Sequence, residues 1–196
     1  QNIDRTVTLY RACLRSGRTL VVDLYTAQVL ELLAESGRLP RPGLKQLRVV
    51  VTRAFVRLYK ARGDEAFVER MAAYGISAKA LASDHERWVI MIRPSLVRDF
   101  EQKGVRPTAH DAWSFSQWRG YLGQPDGHKL QSWFDSGMAQ ADHIHTSGHA
   151  SMADLMSFAL AMKAKRLIPI HGMHWDVAGA QFPNVLRLGD GVPVEI

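Results

Sequence analysis

Residues 141–173, ADHIHTSGHASMADLMSFALAMKAKRLIPIHGM, decide how the rest of the chain is read. The first four, 141–144, form a strand pattern that ends in His145-Thr146-Ser147-Gly148-His149. Ser151 follows as a helix N-cap, with Asp154 three residues on, a capping-box pattern. Met152, Leu155, Met156, Ala159 and Met162 then recur at helical spacing and are expected to bury one face. Residues 166–170 are an apolar run of strand length that stops at Pro169-Ile170-His171-Gly172. Two histidine-bearing loops therefore follow two strands joined by one helix. A right-handed crossover makes such strands parallel and sets both loops at their carboxyl ends. Open α/β sheets place their sites there.

The pattern continues outward. Upstream, residues 128–137 read as a short helix, 117–127 as a loop and 111–116, DAWSFS, as a strand. Before these come a helix over 96–103 closed by Gly104 and a strand over 87–92 ended by Arg93-Pro94. Helices over 54–61 and 64–74, broken at Gly63, follow a strand over 47–51. A turn-rich linker, 37–43, separates that strand from a helix over 26–36. Residues 18–25, RTLVVDLY, are a buried parallel strand by their β-branched run. A first helix over 3–16 stops at Gly17. Downstream, 184–188 and 192–196 read as closing strands joined by Gly189-Asp190-Gly191, a tight-turn signal. Strands alternating with helices at this spacing argue a parallel sheet with helices on its faces.

HTSGHAS followed, after a helix, by LIPIHG resembles the closing part of metallo-β-lactamase-fold nucleases of the β-CASP group, ribonuclease J-like enzymes among them. The likeness covers roughly the last third of the chain; the earlier part fits by its α/β pattern. The resemblance implies an α/β fold in two parts. Residues 1–140 would be a parallel-sheet β-CASP-like domain with flanking helices. Residues 141–196 would be the C-terminal segment of a metallo-β-lactamase αββα domain. It further implies that His149 is a catalytic histidine near the scissile phosphate, that His145 faces the same site, and that His171 is a zinc ligand. Two zinc ions and an RNA substrate come with that family. Its main zinc motif, HxHxDH, does not occur in this sequence. The chain also opens on Gln1 and directly on a helix, as a fragment or processed product would. The expectation is therefore a chain that binds zinc weakly or not at all by itself and needs an N-terminal metallo-β-lactamase half. A half-domain without its sheet partner would expose apolar surface, so homo-oligomerisation is a further expectation.

The residues also carry their own chemistry. Gly148 permits close backbone approach to a phosphate, and with Ser147 it precedes a helix N-terminus that favours anions. Imidazole titrates in the range a general acid needs. Ser114-Phe115-Ser116-Gln117-Trp118-Arg119-Gly120-Tyr121 joins hydroxyls, an arginine and aromatics after a strand. Ser116 and Arg119 suit a phosphate, and Trp118 or Tyr121 suits a base; the alternative is an ordinary loop with its aromatics packed on the sheet edge, and the position after a strand, shared with the two histidine loops, favours the first reading. His143 alternates with His145 and reads either as a site or as a core residue. His174 reads as structural or as support to a ligand, and His85, His110 and His128 as solvent or turn residues. Asp23, near the end of a buried strand, reads as a site acid or a structural acceptor.

A formal charge of +6 favours an anionic partner such as nucleic acid, or is a generic basic surface. A single cysteine, Cys13, excludes an internal disulfide and fits a reducing, cytoplasmic compartment. No apolar run is long enough to span a membrane, and no signal peptide is visible. The competing function class is a non-catalytic α/β module that binds nucleic acid or a protein subunit. A third keeps the hydrolase fold with another substrate, since fold does not fix function.

Overall fold

The computed structural model describes residues 2–144, 150–170, 181–189, 191 and 193. The chain divides into two compact units, Gln1–His145 and Thr146–Ile196. It is an α/β protein with small parallel sheets.

The first unit is built on a three-stranded parallel sheet. Its strands are β1 (Thr19–Asp23), β2 (Leu47–Val50) and β3 (Trp88–Ile90), in the order β2-β1-β3. β1 pairs Leu20 with Leu47 on one side and with Val89 on the other. All five β1 residues are buried, as a central strand covered on both faces requires. Strand alternation then divides the core. Leu20 and Val22 join a cluster with helices α1 (Ile3–Ser16), α2 (Leu24–Leu32), α3 (Arg53–Ala61) and α4 (Glu65–Ala72). Val21 joins a second cluster with α5 (Ala78–Ser83), α6 (Pro94–Gln102) and α7 (Pro125–Ser136). Each fully buried Leu or Val in these clusters is worth about 1.5–3 kcal/mol relative to exposure. Cys13 lies in the first cluster, and burial pushes its thiol up, against the pull of Arg18.

α1 has the expected bounds. Asn2 caps it by accepting from the Arg5 N–H, and Gly17 ends it in the left-handed region, φ 71°. Most other boundaries move by a few residues for identifiable reasons. The strand expected over 18–25 ends at Asp23, because that carboxylate caps α2 and starts it two residues early. The helix expected over 26–36 ends at Leu32 and continues as a 3-10 turn, Ala34–Ser36. Pro94 and Pro125, read as a strand stop and a loop residue, each occupy the first turn of a helix. Proline lacks only an N–H that the first turn leaves unpaired anyway. The loop expected over 117–127 is thus a 3-10 turn, Arg119–Gly123, running into α7. α5 was not anticipated; Ser77 caps it by accepting from the Ala80 N–H.

A second parallel pair completes this unit, β4 (Ala112–Ser114) with β5 (Gln140–Asp142). Trp113 stacks on Phe134 of α7, with ring centroids 4.6 Å apart and planes 4° from parallel.

The second unit holds α8 (Met152–Met162), capped as expected: Ser151 Oγ accepts from the Asp154 N–H and donates to its carboxylate at 2.6 Å. The expected burial of its apolar face does not occur. Ala159 alone is buried on this helix, Met156 is half-buried, and Met152, Leu155 and Met162 are exposed. Phe158 is 64% exposed and Leu160 58%. Apolar side chains occur on every side of α8, so periodicity alone could not tell which would be covered. The strand expected over 166–170 reduces to one parallel bridge, Leu167 with Val185. Leu167 donates to the Asn184 carbonyl and accepts from Leu186 N, both at 2.9 Å. The next donor in a parallel ladder would be residue 169, which is proline and has no N–H. The strand expected over 184–188 is likewise only this bridge among the described residues. Residues 192 and 194–196 and Asp190 lie outside the described residues.

Candidate functional site

β4 and β5 run parallel, so the loop leaving β4 and the segment leaving β5 emerge at the same end of their pair. The first is the Ser114–Tyr121 sequence; the second is His143-Ile144, which leads into residues 145–149. The two are stitched together. Phe115 N donates to the Asp142 carbonyl at 3.2 Å, and Ile144 N donates to Ser114 Oγ at 3.1 Å. His143 Nε2 lies 3.2 Å from the Gln117 carbonyl, and the His143 N–H donates to Asp142 Oδ1 at 2.7 Å. His143 is therefore neither a core residue nor open to solvent: it is half-buried and tied to the loop after β4.

That loop presents charge and aromatic surface. Ser116 is half-buried, whereas Arg119 is exposed, with no hydrogen bond or ion pair to it among the described residues. Trp118 and Tyr121 are 57% and 54% exposed and meet edge to face at 5.6 Å. They cover each other and leave ring faces to solvent rather than packing into the core. The loop is backed by α7. Gly127 sits against the Tyr121 carbonyl and Leu122, where any Cβ would collide with backbone. This close approach makes the 3-10 turn and the first turn of α7 one piece.

The base of β4 is also anchored. Asp111 accepts from Thr108 N at 2.7 Å, from Thr108 Oγ1 at 2.9 Å, and lies 2.8 Å from His85 Nδ1. Burial alone would raise the Asp111 carboxyl. The Thr108 N–H, the His85 ring and the Thr108 hydroxyl outweigh it and hold the group below the ordinary aspartate value. His85, read as a solvent or turn residue, thus stands in a 3-10 turn and pairs with this acid.

Asp23 resolves to the structural alternative. Its side chain is buried, its Oδ1 accepts from Thr26 N at 2.7 Å and its Oδ2 pairs with Arg93 Nε. Arg93 also lies over the Tyr25 ring, 4.9 Å from its centre. Gln28 accepts from the Tyr59 hydroxyl at 2.9 Å.

His145, Ser147, Gly148, His149, His171 and His174 lie outside the described residues. β5, which leads to the first histidine loop, has β4 as its partner, while Leu167, ahead of the second, has Val185. Among the described residues no three His, Cys, Asp or Glu side chains are grouped to hold a metal ion. The described residues therefore do not make a zinc site. No described helix is long and apolar enough to cross a membrane. What the sequence reading missed here is the His143–Gln117 contact, which no spacing rule signals because it joins residues 26 positions apart.

Residues 138–176 match a family described as the Zn-dependent metallo-hydrolase RNA specificity domain. The matched span begins just before β5, includes all of α8 and takes in both histidine-bearing stretches. No curated protein matches the chain.

Proposed function

We propose that this chain is part of a zinc-dependent hydrolase that cleaves RNA phosphodiesters, of the β-CASP, ribonuclease J-like kind. The observation that carries the proposal is the family match over residues 138–176, which holds His145, His149 and His171 in one span described as conferring RNA specificity. In this reading residues 1–140 are the β-CASP-like domain, residues 141–196 return to the metallo-β-lactamase domain, and the protein works in the cytoplasm. His149 donates a proton to the leaving oxygen or a hydrogen bond to the phosphate, within the range where imidazole titrates. His145 orients the phosphate or His149. Ser147 and Gly148 offer a hydroxyl and an open backbone N–H ahead of the α8 N-terminus, where an anion is favoured. Ser116 and Arg119, in the loop that leaves β4, bind a phosphate, and Trp118 or Tyr121 stacks on a base.

His171 is assigned as a zinc ligand. One histidine is short of the three or four protein ligands a zinc site normally needs, so the other ligands come from an HxHxDH-bearing metallo-β-lactamase half. The exposed apolar residues of α8 support a partner of that kind. The chain by itself is expected to carry substoichiometric zinc and to leave labelled RNA uncut. Metal analysis and a cleavage assay on the purified chain check this; stoichiometric zinc with turnover overturns the need for a second half. In the intact enzyme, H149A should abolish cleavage while RNA affinity changes little.

The second reading is a non-catalytic module that binds RNA or a protein subunit. The basic charge and the exposed Trp118 and Tyr121 favour it. It predicts that H149A leaves every measurable activity of the intact protein unchanged.

A further inference from the structure

We propose that the cleft between α3 and α6, remote in sequence from both histidine loops, binds backbone phosphates of a polynucleotide. Arg53, Ala54 and Arg57 of α3 and Arg98, Asp99 and Gln102 of α6 line it, and its volume is about 260 Å³. The ligand class rests on the RNA-processing proposal; the site rests on its own geometry.

Three features single it out. The first is placement against local preference. Arg53 stands at the first position of α3, and the first turn has no acidic residue. A cation there opposes the helix dipole, and Arg53 with Arg57 is a like-charge pair at i, i+4. Both placements cost stability in the free chain and become favourable once an anion lies between them. The second is convergence from two elements. Arg98 reaches the same cleft from α6, and no ion pair joins Arg53, Arg57 or Arg98 to an acid among the described residues. Asp99 is the one carboxylate on the wall. Its Oδ2 is buried without a hydrogen-bond partner among the described residues. Three guanidiniums against one carboxylate leave a formal surplus of two positive charges.

The third feature is shape. The cleft is smaller than the roughly 300–1,000 Å³ typical of sites that enclose an organic ligand. Its lining is charged, with exposed arginines at the rim. Such a groove grips a charged chain passing over it better than it encloses a free nucleotide. Arg53, Arg57 and Lys60 also recur at i, i+4 and i+7, while Phe55, Val56 and Tyr59 pack inward, so the basic face of α3 extends beyond the cleft as a stripe. Guanidinium forks suit phosphate oxygens.

The test measures binding of a fluorescent single-stranded oligoribonucleotide to the full chain over a range of salt, by anisotropy. Each neutralised phosphate of a single strand contributes roughly 0.7 to the slope of log affinity against log salt. R57A/R98A is therefore expected to bind more weakly and to lower the slope by about 1.4, with far-UV circular dichroism unchanged. R57K/R98K is expected to keep the slope. An unchanged slope in R57A/R98A, or an equal loss in both double variants, overturns the proposal. A DNA strand of the same sequence is expected to show the same loss, since the cleft reads phosphate. Displacement of the RNA by inorganic phosphate at equal phosphate concentration would overturn the polynucleotide assignment in favour of a free-anion site. R119A separates this site from the one after β4. A slope lowered by R119A but not by R57A/R98A overturns the cleft and leaves the other reading standing. No binding by the unaltered chain overturns both.

Discussion

At the end of β1 the Asp23 carboxylate caps α2 with one oxygen and meets Arg93 with the other. Removing it takes away the cap and one partner of Arg93, whose side chain is 36% exposed. D23A is expected to cost about 0.5–2 kcal/mol, the range for a lost N-cap. D23N keeps a capping oxygen and should cost less; urea denaturation compares the two. Asp111 sets a pH dependence. Its folded carboxyl lies below the ordinary value of about 3.9, so the unfolded chain takes up that proton first as pH falls. The stabilisation is complete above that ordinary value and is lost as pH drops through the lower folded one. Denaturation midpoints measured from pH 6 to pH 3 should fall in the acid range, and D111N should flatten part of that fall. The identity of both acids was plain in the sequence. Their roles were not, because Arg93 and His85 reach them only after folding.

Among the elements, the contact of α7 with the 3-10 turn Arg119–Gly123 is the most sensitive to a single methyl group. G127A places a Cβ against the Tyr121 carbonyl and Leu122, backbone that cannot swing aside. Overpacking of this kind costs about 1–3 kcal/mol. A lowered denaturation midpoint is expected, together with a change in Trp118 or Tyr121 emission, because the same shift displaces the aromatic turn. Element types were largely legible, and so were the caps at Gly17 and Ser151. Starts that depend on one residue's partner were harder to read. Asp23, Pro94 and Pro125 all looked like ends or loops and all begin helices. At Leu167 the opposite occurred: an apolar run suggested a strand, and Pro169 denied it the next ladder bond.

For the whole molecule, the two units differ in how well they bury their apolar residues. The first wraps both faces of β1; the second leaves Phe158, Leu160 and Met162 of α8 exposed. The chain is expected to bind a dye such as anilinonaphthalene sulfonate and to sediment with concentration-dependent mass. F158E/M162E should reduce both; equal dye binding and sedimentation would show that α8 is not the surface involved. By itself the sequence determined the α/β class, a buried parallel strand within residues 18–25, the bounds of α1, the Ser151 cap of α8, and the histidine stretches that the family match over residues 138–176 contains. These follow from short-range rules: periodicity, capping and residue chemistry act within a few positions along the chain. Only the tertiary structure decided that Asp23 is structural, that His143 is held by Gln117, that α8 is uncovered, and that arginines from α3 and α6 share a cleft. Each of those depends on which distant segment arrives alongside, and local pattern carries no information about arrival.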